Sequence, residues 1–210
     1  SYFSKRSGFV INKLSGGGCE HMGNFPTFPV KGKLKMSPDN ILNYRINISE
    51  EKGHAGYYEA MVQKDIKAKL TVTERTGMAS YEYPADQQYG TIIIGGGISA
   101  TPIEQAAIVI TAPNKCEGYA EGGNFCGLRT PYKVYFVAEF DTDALETGTW
   151  KREELMPNTT FAEGEYSGVY FTFDVNKKKN IQYKIGVSYV SVENARENLK
   201  AENTEWDFQK

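Results

Sequence analysis

The chain is predicted to be an all-β protein, an antiparallel two-sheet β-sandwich with one helix at its C-terminal end. Three observations predict it. Apolar and polar residues alternate with period two along much of the 210 residues. Aromatic residues (14 Tyr, 11 Phe, 2 Trp) and 21 glycines are both abundant, as short strands joined by tight turns require. No helical pattern alternates with the strands, which argues against a parallel α/β sheet.

Taken in order, the strand candidates are 43–48, 56–62, 67–73, 79–83, 91–94, 106–110, 132–140, 166–173 and 181–190. The last is the cleanest: Ile181, Tyr183, Ile185 and Val187 alternate with Gln182, Lys184, Gly186 and Ser188. Turn signals separate them at Pro38-Asp39-Asn40, Pro84-Ala85-Asp86, Pro113-Asn114 and Asn176-Lys177-Lys178-Lys179-Asn180. One helix is expected after Ser191, a natural N-cap, with Val192, Ala195 and Leu199 on one stripe. Trp206 rejoins that stripe one heptad after Leu199 if the helix runs so far. Trp206 and Phe208 are large aromatics that need a surface to bury against. The chain divides into a β-sandwich domain, 1–190, and the start of a helical linker, 191–210.

Composition excludes several classes. The formal net charge is −2, so no general affinity for nucleic acid follows. No apolar run approaches the roughly 20 residues of a membrane span. Ser1-Tyr2-Phe3-Ser4-Lys5-Arg6 has no signal-peptide apolar core behind it, and the missing initiator Met points to processing or excision from a longer chain. Of three cysteines, Cys116 and Cys126 flank a stretch, 117–125, that reads as a glycine-rich loop. A disulfide closing that loop would need an oxidising compartment; two unpaired thiols are the plainer reading. No spacing suits a structural zinc.

Ser15-Gly16-Gly17-Gly18-Cys19 is the best candidate site. Its glycines expose backbone N–H and C=O groups and let a ligand approach closely, although a tight turn with a buried Cys has the same signature. A reactive thiol at Cys19, two residues from His21, lacks any third member or oxyanion pattern. His54 has no metal-ligating neighbours in sequence. Tyr57 and Tyr58 suit a strand core more than a sugar platform. Gly95-Gly96-Gly97 opens no helix and is no dinucleotide fingerprint. Among 26 acidic residues nothing marks a catalytic pair, and the acceptor triplets at Asn47 and Asn158 are common by chance.

The stretch 184–199, with Ala201-Glu202-Asn203 and Trp206-Asp207-Phe208, closely resembles glycoside hydrolase family 92. So, in the family's order, do Leu14-Ser15-Gly16-Gly17-Gly18-Cys19, Gly23-Asn24-Phe25-Pro26, Ala55-Gly56-Tyr57-Tyr58, Arg75-Thr76-Gly77, Phe125-Cys126-Gly127 and Tyr135-Phe136-Val137-Ala138-Glu139-Phe140. The resemblance implies the N-terminal β-sandwich domain of a calcium-dependent, inverting exo-α-mannosidase, of α-1,2 linkage preference, acting on mannose-containing glycans. Its partner would be a C-terminal helical-barrel catalytic domain, absent here, holding the acid and base carboxylates and most calcium ligands. The substrate-binding candidates are Gly17, Gly18 and Cys19, with Glu20 and His21 at the rim. No catalytic or metal residue is expected on this chain, which alone should be inactive. The resemblance also implies a bacterial protein that is secreted, periplasmic or on the cell surface. The competing expectations are an autonomous carbohydrate-binding β-sandwich module and a purely structural surface domain.

Overall fold

The computed structural model describes residues 8–14, 18–39 and 47–208. The strands are β1 (Thr27–Lys31), β2 (Ile48–His54), β3 (Tyr57–Val62), β4 (Ile66–Val72), β5 (Thr76–Glu82), β6 (Tyr89–Gly95) and β7 (Ile103–Ala112). They continue as β8 (Lys115–Phe125), β9 (Leu128–Phe140), β10 (Glu146–Lys151), β11 (Glu154–Pro157), β12 (Phe161–Glu163), β13 (Ser167–Asp174) and β14 (Asn180–Ser188). The C-terminal helix, α1, spans Val192–Glu202. A five-stranded sheet runs β1-β6-β13-β10-β11 and a nine-stranded sheet β12-β7-β8-β9-β14-β5-β4-β3-β2. Every pairing within them is antiparallel. The expected two-sheet architecture is what the chain adopts.

Its core lies between the sheets. Phe140 of β9 meets Phe171 and Phe173 of β13 with ring centroids 4.8 and 5.2 Å away, and Tyr183 of β14 at 5.4 Å. All four rings are buried, so β9 and β14 of one sheet are locked onto β13 of the other. Thr91 and Thr172 bond inside the core at 2.8 Å, and Tyr83 donates to the Thr91 carbonyl at 3.1 Å, whereas the buried Tyr81 hydroxyl has no hydrogen-bond partner.

Residues 115–125 correct the sequence reading. They form β8, central in the larger sheet, rather than a glycine-rich loop. The alternation there is one of size. Cys116, Gly118, Ala120 and Gly122 are buried while Glu117, Tyr119 and Glu121 are half-exposed. A Cβ on Gly118 would lie 2.2 Å from the Ala107 carbonyl oxygen, so only glycine allows β7 to approach this closely. The strand expected at 43–48 falls mostly outside the described residues; β2 begins at Ile48.

Helix α1 forms as its sequence specifies. Ser191 is the N-cap, its hydroxyl accepting from the Asn194 N–H at 3.0 Å. Val192, Ala195 and Leu199 pack on Val137 of β9. Gly186 of β14 admits the helix: a Cβ there would stand 2.5 Å from the Ala195 carbonyl oxygen and 2.9 Å from the Leu199 Cβ. The helix stops at Glu202, capped by Asn203, so Trp206 does not continue its stripe.

Phe140→Ala should cost about 3–5 kcal/mol, because it empties the junction of both sheets. Leu145→Ala, at a side chain that is 57% exposed, should stay within about 0.5 kcal/mol. Urea unfolding of the two variants measures the contrast.

A candidate sugar-binding loop held by a disulfide

The segment between Gly18 and β1 is irregular because its backbone repeatedly enters the left-handed region. Gly18 and Gly23 have φ of 83° and 78°, and Met22 and Phe25 have 58° and 55°. Non-glycine residues hold that conformation only where surrounding contacts impose it. Here the Met22 carbonyl accepts from the Ala100 N–H at 2.8 Å, and Leu14 donates to the His21 carbonyl at 3.2 Å. Asn12 and Asn24 pair twice: the Asn24 N–H donates to Asn12 Oδ1 at 2.8 Å, and Asn12 Nδ2 donates to Asn24 Oδ1 at 3.0 Å. Tyr132 Oη donates to the same Asn24 oxygen at 3.0 Å.

A covalent bond completes the restraint. Cys19 is joined to Cys126, 107 residues away, in the turn between β8 and β9. This corrects the sequence reading, in which Cys19 stood apart and Cys116 was the possible partner of Cys126. Cys116 is the free cysteine, wholly buried on the inner face of β8, and burial pushes its thiol far up and away from the reactive thiolate. Cys116 points into the core, whereas Cys126 lies beyond the end of the strand. The disulfide also removes the thiol-nucleophile reading of Cys19 and His21.

Of the five candidate residues, Gly17 lies outside the described residues. Gly18 and Glu20 are exposed, Cys19 is half-buried, and His21 is 6% exposed. Glu20 pairs with Lys13 at 3.1 Å in a surface bridge of small energetic weight. His21 is set between Phe125 and Tyr132, with ring centroids 5.3 and 5.4 Å away. Its Nδ1 is buried with no hydrogen-bond partner, and so is Asn24 Nδ2. Two buried polar atoms left without partners cost about 1–3 kcal/mol each, and both lie within six residues of the exposed Gly18. Burial also raises the Tyr132 hydroxyl above its ordinary range, against the hydrogen bonds of Asn24, Ser99 and Thr101. The sequence reading missed Asn12, Asn24, Phe125 and Tyr132 as parts of this cluster. The Gly23-Asn24 pair just past the loop was the available signal.

Other candidates fall elsewhere. His54 is exposed, donates from Nδ1 to the Ala55 carbonyl at 3.0 Å, and stacks on Tyr57 at 5.2 Å. Phe9, His54, Tyr57, Tyr58, Leu70 and Val72 help line a groove of about 620 Å³. Many carboxylates are engaged in ion pairs, including Glu139 with Lys115, Glu104 with Arg129 and Glu117 with Arg196. Among the described residues, Asp39 is the carboxyl raised above its usual range, chiefly by burial. Its neighbours there are Arg152 and Glu153, beside the β10–β11 turn of the smaller sheet, whereas the loop is tied to the larger one. Among the described residues, no three His, Cys, Asp or Glu side chains gather where they could hold a metal ion. The described residues therefore do not fit a calcium site.

The described fold is an antiparallel β-sandwich whose irregular segment at Gly18–His21 is pinned by a disulfide beside two buried, unpaired polar atoms. The chain belongs to the family described as the glycosyl hydrolase family 92 N-terminal domain, which matches residues 2–188. It is 24% identical over 233 residues to an uncharacterised secreted glycosidase of Arthroderma benhamiae, covering 99% of this chain and 30% of the relative. A family GH92 α-mannosidase from Bacteroides thetaiotaomicron shares 25% identity and superposes with a TM-score of 0.81, over 97% of this chain and 29% of that one. An inverting mannosidase of the same family and species has a similar fold, with TM-score 0.71 and 23% identity over 88% and 24% of the two chains. This chain thus spans under a third of the length of these relatives.

Cys19→Ser with Cys126→Ser should lower stability by about 2–5 kcal/mol, since a long loop of unfolded chain is released. Thiol titration checks the pairing: the one free cysteine should react only after unfolding, and all three only after reduction as well.

Proposed function

We propose that this domain forms one wall of the substrate pocket in a secreted, inverting exo-α-mannosidase that removes terminal mannose from glycans. The observation that carries the reading is the loop at Gly18–His21, fixed by Cys19–Cys126 and backed by the unpaired Nδ atoms of His21 and Asn24. Sugar hydroxyls are small donors and acceptors, and a rigid backbone with open N–H and C=O groups suits them. Gly17, Gly18 and Cys19 would offer backbone to the sugar, and Glu20 its carboxylate at the rim. His21 would act from below, as the packed support of the loop.

Inversion requires two carboxyl groups about 6.5–9.5 Å apart, one protonated and one ionised. The carboxylates near the loop do not supply such a pair: Glu20 is exposed and paired with Lys13. In this reading the acid, the base and the calcium ligands belong to a helical-barrel domain that follows the linker begun at residues 191–210. The limited share of each relative that this chain covers supports a further domain. α-1,2-Linked mannose is the linkage we propose, and a secreted or periplasmic bacterial location fits the disulfide's need for an oxidising compartment.

A second reading, an autonomous carbohydrate-binding module, is favoured by the aromatic groove of about 620 Å³ at Phe9, His54, Tyr57 and Tyr58. Calorimetric titration with α-mannosides separates the two. The pocket-wall reading expects affinity no better than millimolar, near −4.1 kcal/mol, for the chain alone. Binding tighter than this that is lost in Tyr57→Ala would establish the module instead. In the same series, the chain alone should release no aryl α-mannoside product. Adding the following domain in cis should restore turnover, and a calcium chelator should abolish it.

A further inference from the structure

The last residue of α1 and residues 203–208 after it run back across the outer face of the nine-stranded sheet and are held there at successive points. Glu202 grips the β4–β5 turn. Its Oε2 accepts from the Arg75 N–H at 3.0 Å and from the Thr73 hydroxyl at 2.5 Å, while Oε1 accepts from Arg75 Nε at 2.5 Å. Desolvation works against the carboxylate, yet these bonds outweigh it and leave the group below its ordinary range. Asn203 caps the helix with its N–H and uses its carbonyl to accept from Lys184 Nζ at 2.9 Å. The same ammonium lies 4.2 Å from the centroid of the Trp206 ring. Phe208 then meets the ring of Tyr57 edge-on at 6.2 Å.

Lys184 is the informative member. It projects from central β14, is 3% exposed, and its ammonium is pulled down by desolvation despite the charges of Glu139 and Glu205. A buried ammonium is costly unless donors and charge are matched. Here the match is made by the post-helical segment, through one carbonyl and one aromatic face. A greasy contact could slide, but a carbonyl and a ring on one ammonium, together with a three-point carboxylate clamp, fix the segment's register. This accounts for Trp206, which the helix does not reach.

We propose that Glu202–Phe208 is a latch, with Arg75 and Lys184 as its receptors, that fixes the direction in which the polypeptide leaves the sandwich. The proposal rests on the reading that a further domain follows. The latch then sets how that domain faces the loop at Gly18–His21, and Lys184, Arg75 and Glu202 are positioning residues that touch no substrate.

Two experiments test it. In the 210-residue chain, hydrogen exchange should show protected amides at 203–208. Lys184→Ala and, separately, Glu202→Gln should speed exchange there at least about tenfold, with amides of β5 and β9 unchanged; Lys184→Arg should restore protection. Free exchange of this segment in the unaltered chain would overturn the proposal. In the chain extended into its following domain, the same two variants should lower kcat/KM for an aryl α-mannoside about ten- to a hundredfold, as misplacement of a pocket wall does. Lys184→Arg should rescue it. A loosened segment with kcat/KM intact would refute the positioning role. If the unaltered two-domain protein shows no mannosidase activity, the pocket reading fails by itself, and small-angle scattering decides the latch. A broader distribution of interdomain distances in the variants supports it, and an unchanged one overturns it.

Discussion

A mismatch in sheet size governs this molecule. Nine strands face five, so the smaller sheet cannot cover the whole inner surface of the larger. Apolar surface left facing water would forfeit about 25 cal/mol per Å², and the chain meets the deficit with its irregular N-terminal segment. Phe9 reaches Tyr58 and Tyr81, Ile11 closes on Gly77, and Phe25 meets Phe136 in a tilted pair at 4.2 Å. Coverage by a segment without ladder hydrogen bonds requires other partners for its backbone. The Asn12–Asn24 pair, the bond from Ala100 and the paired bonds between Phe9 and Thr27 supply them.

The candidate site follows from that arrangement. The loop at Gly18–His21 is a departure of the covering segment from the core, where left-handed residues turn the chain outward. Such a loop would be mobile on its own. Cys19–Cys126 ties it to the end of the longest hairpin, and His21 wedges between two rings of that hairpin. The bond stabilises the fold by restricting the unfolded chain, and the rigidity it gives the loop has a second consequence. It has value for recognition, because a preorganised backbone loses less entropy on binding. The same economy describes the outer face of the larger sheet. There Lys184 and Arg75 hold the segment past α1 by directional contacts, where an apolar patch would have sufficed for burial.

Much of this was legible in the residues. The period-two runs at 132–140, 166–173 and 181–190 announced β9, β13 and β14, the last ending two residues earlier than read, because their alternate residues are large and apolar. Ser191, Val192, Ala195 and Leu199 announced α1, because capping and a 3.6-residue stripe are local properties. Of the glycine-rich run before Cys19, Gly18 is described, and it lies exposed with a positive φ. Residues 115–125 were misread because the inner face of β8 is built from Cys116, Gly118, Ala120 and Gly122. Small residues there reflect the nearness of β7, a tertiary fact that leaves no hydrophobic period.

The sequence by itself determined the fold class, the helix and its cap, and the family, since each rests on short-range patterning or on motifs kept in order. Only the tertiary structure decided that Cys19 pairs with Cys126, that His21 is packed, and that Asn24 and Tyr132 join the loop. These contacts join residues more than 100 positions apart. Their partners are chosen by strand register and sheet closure, and neither is written in the neighbourhood of any one residue.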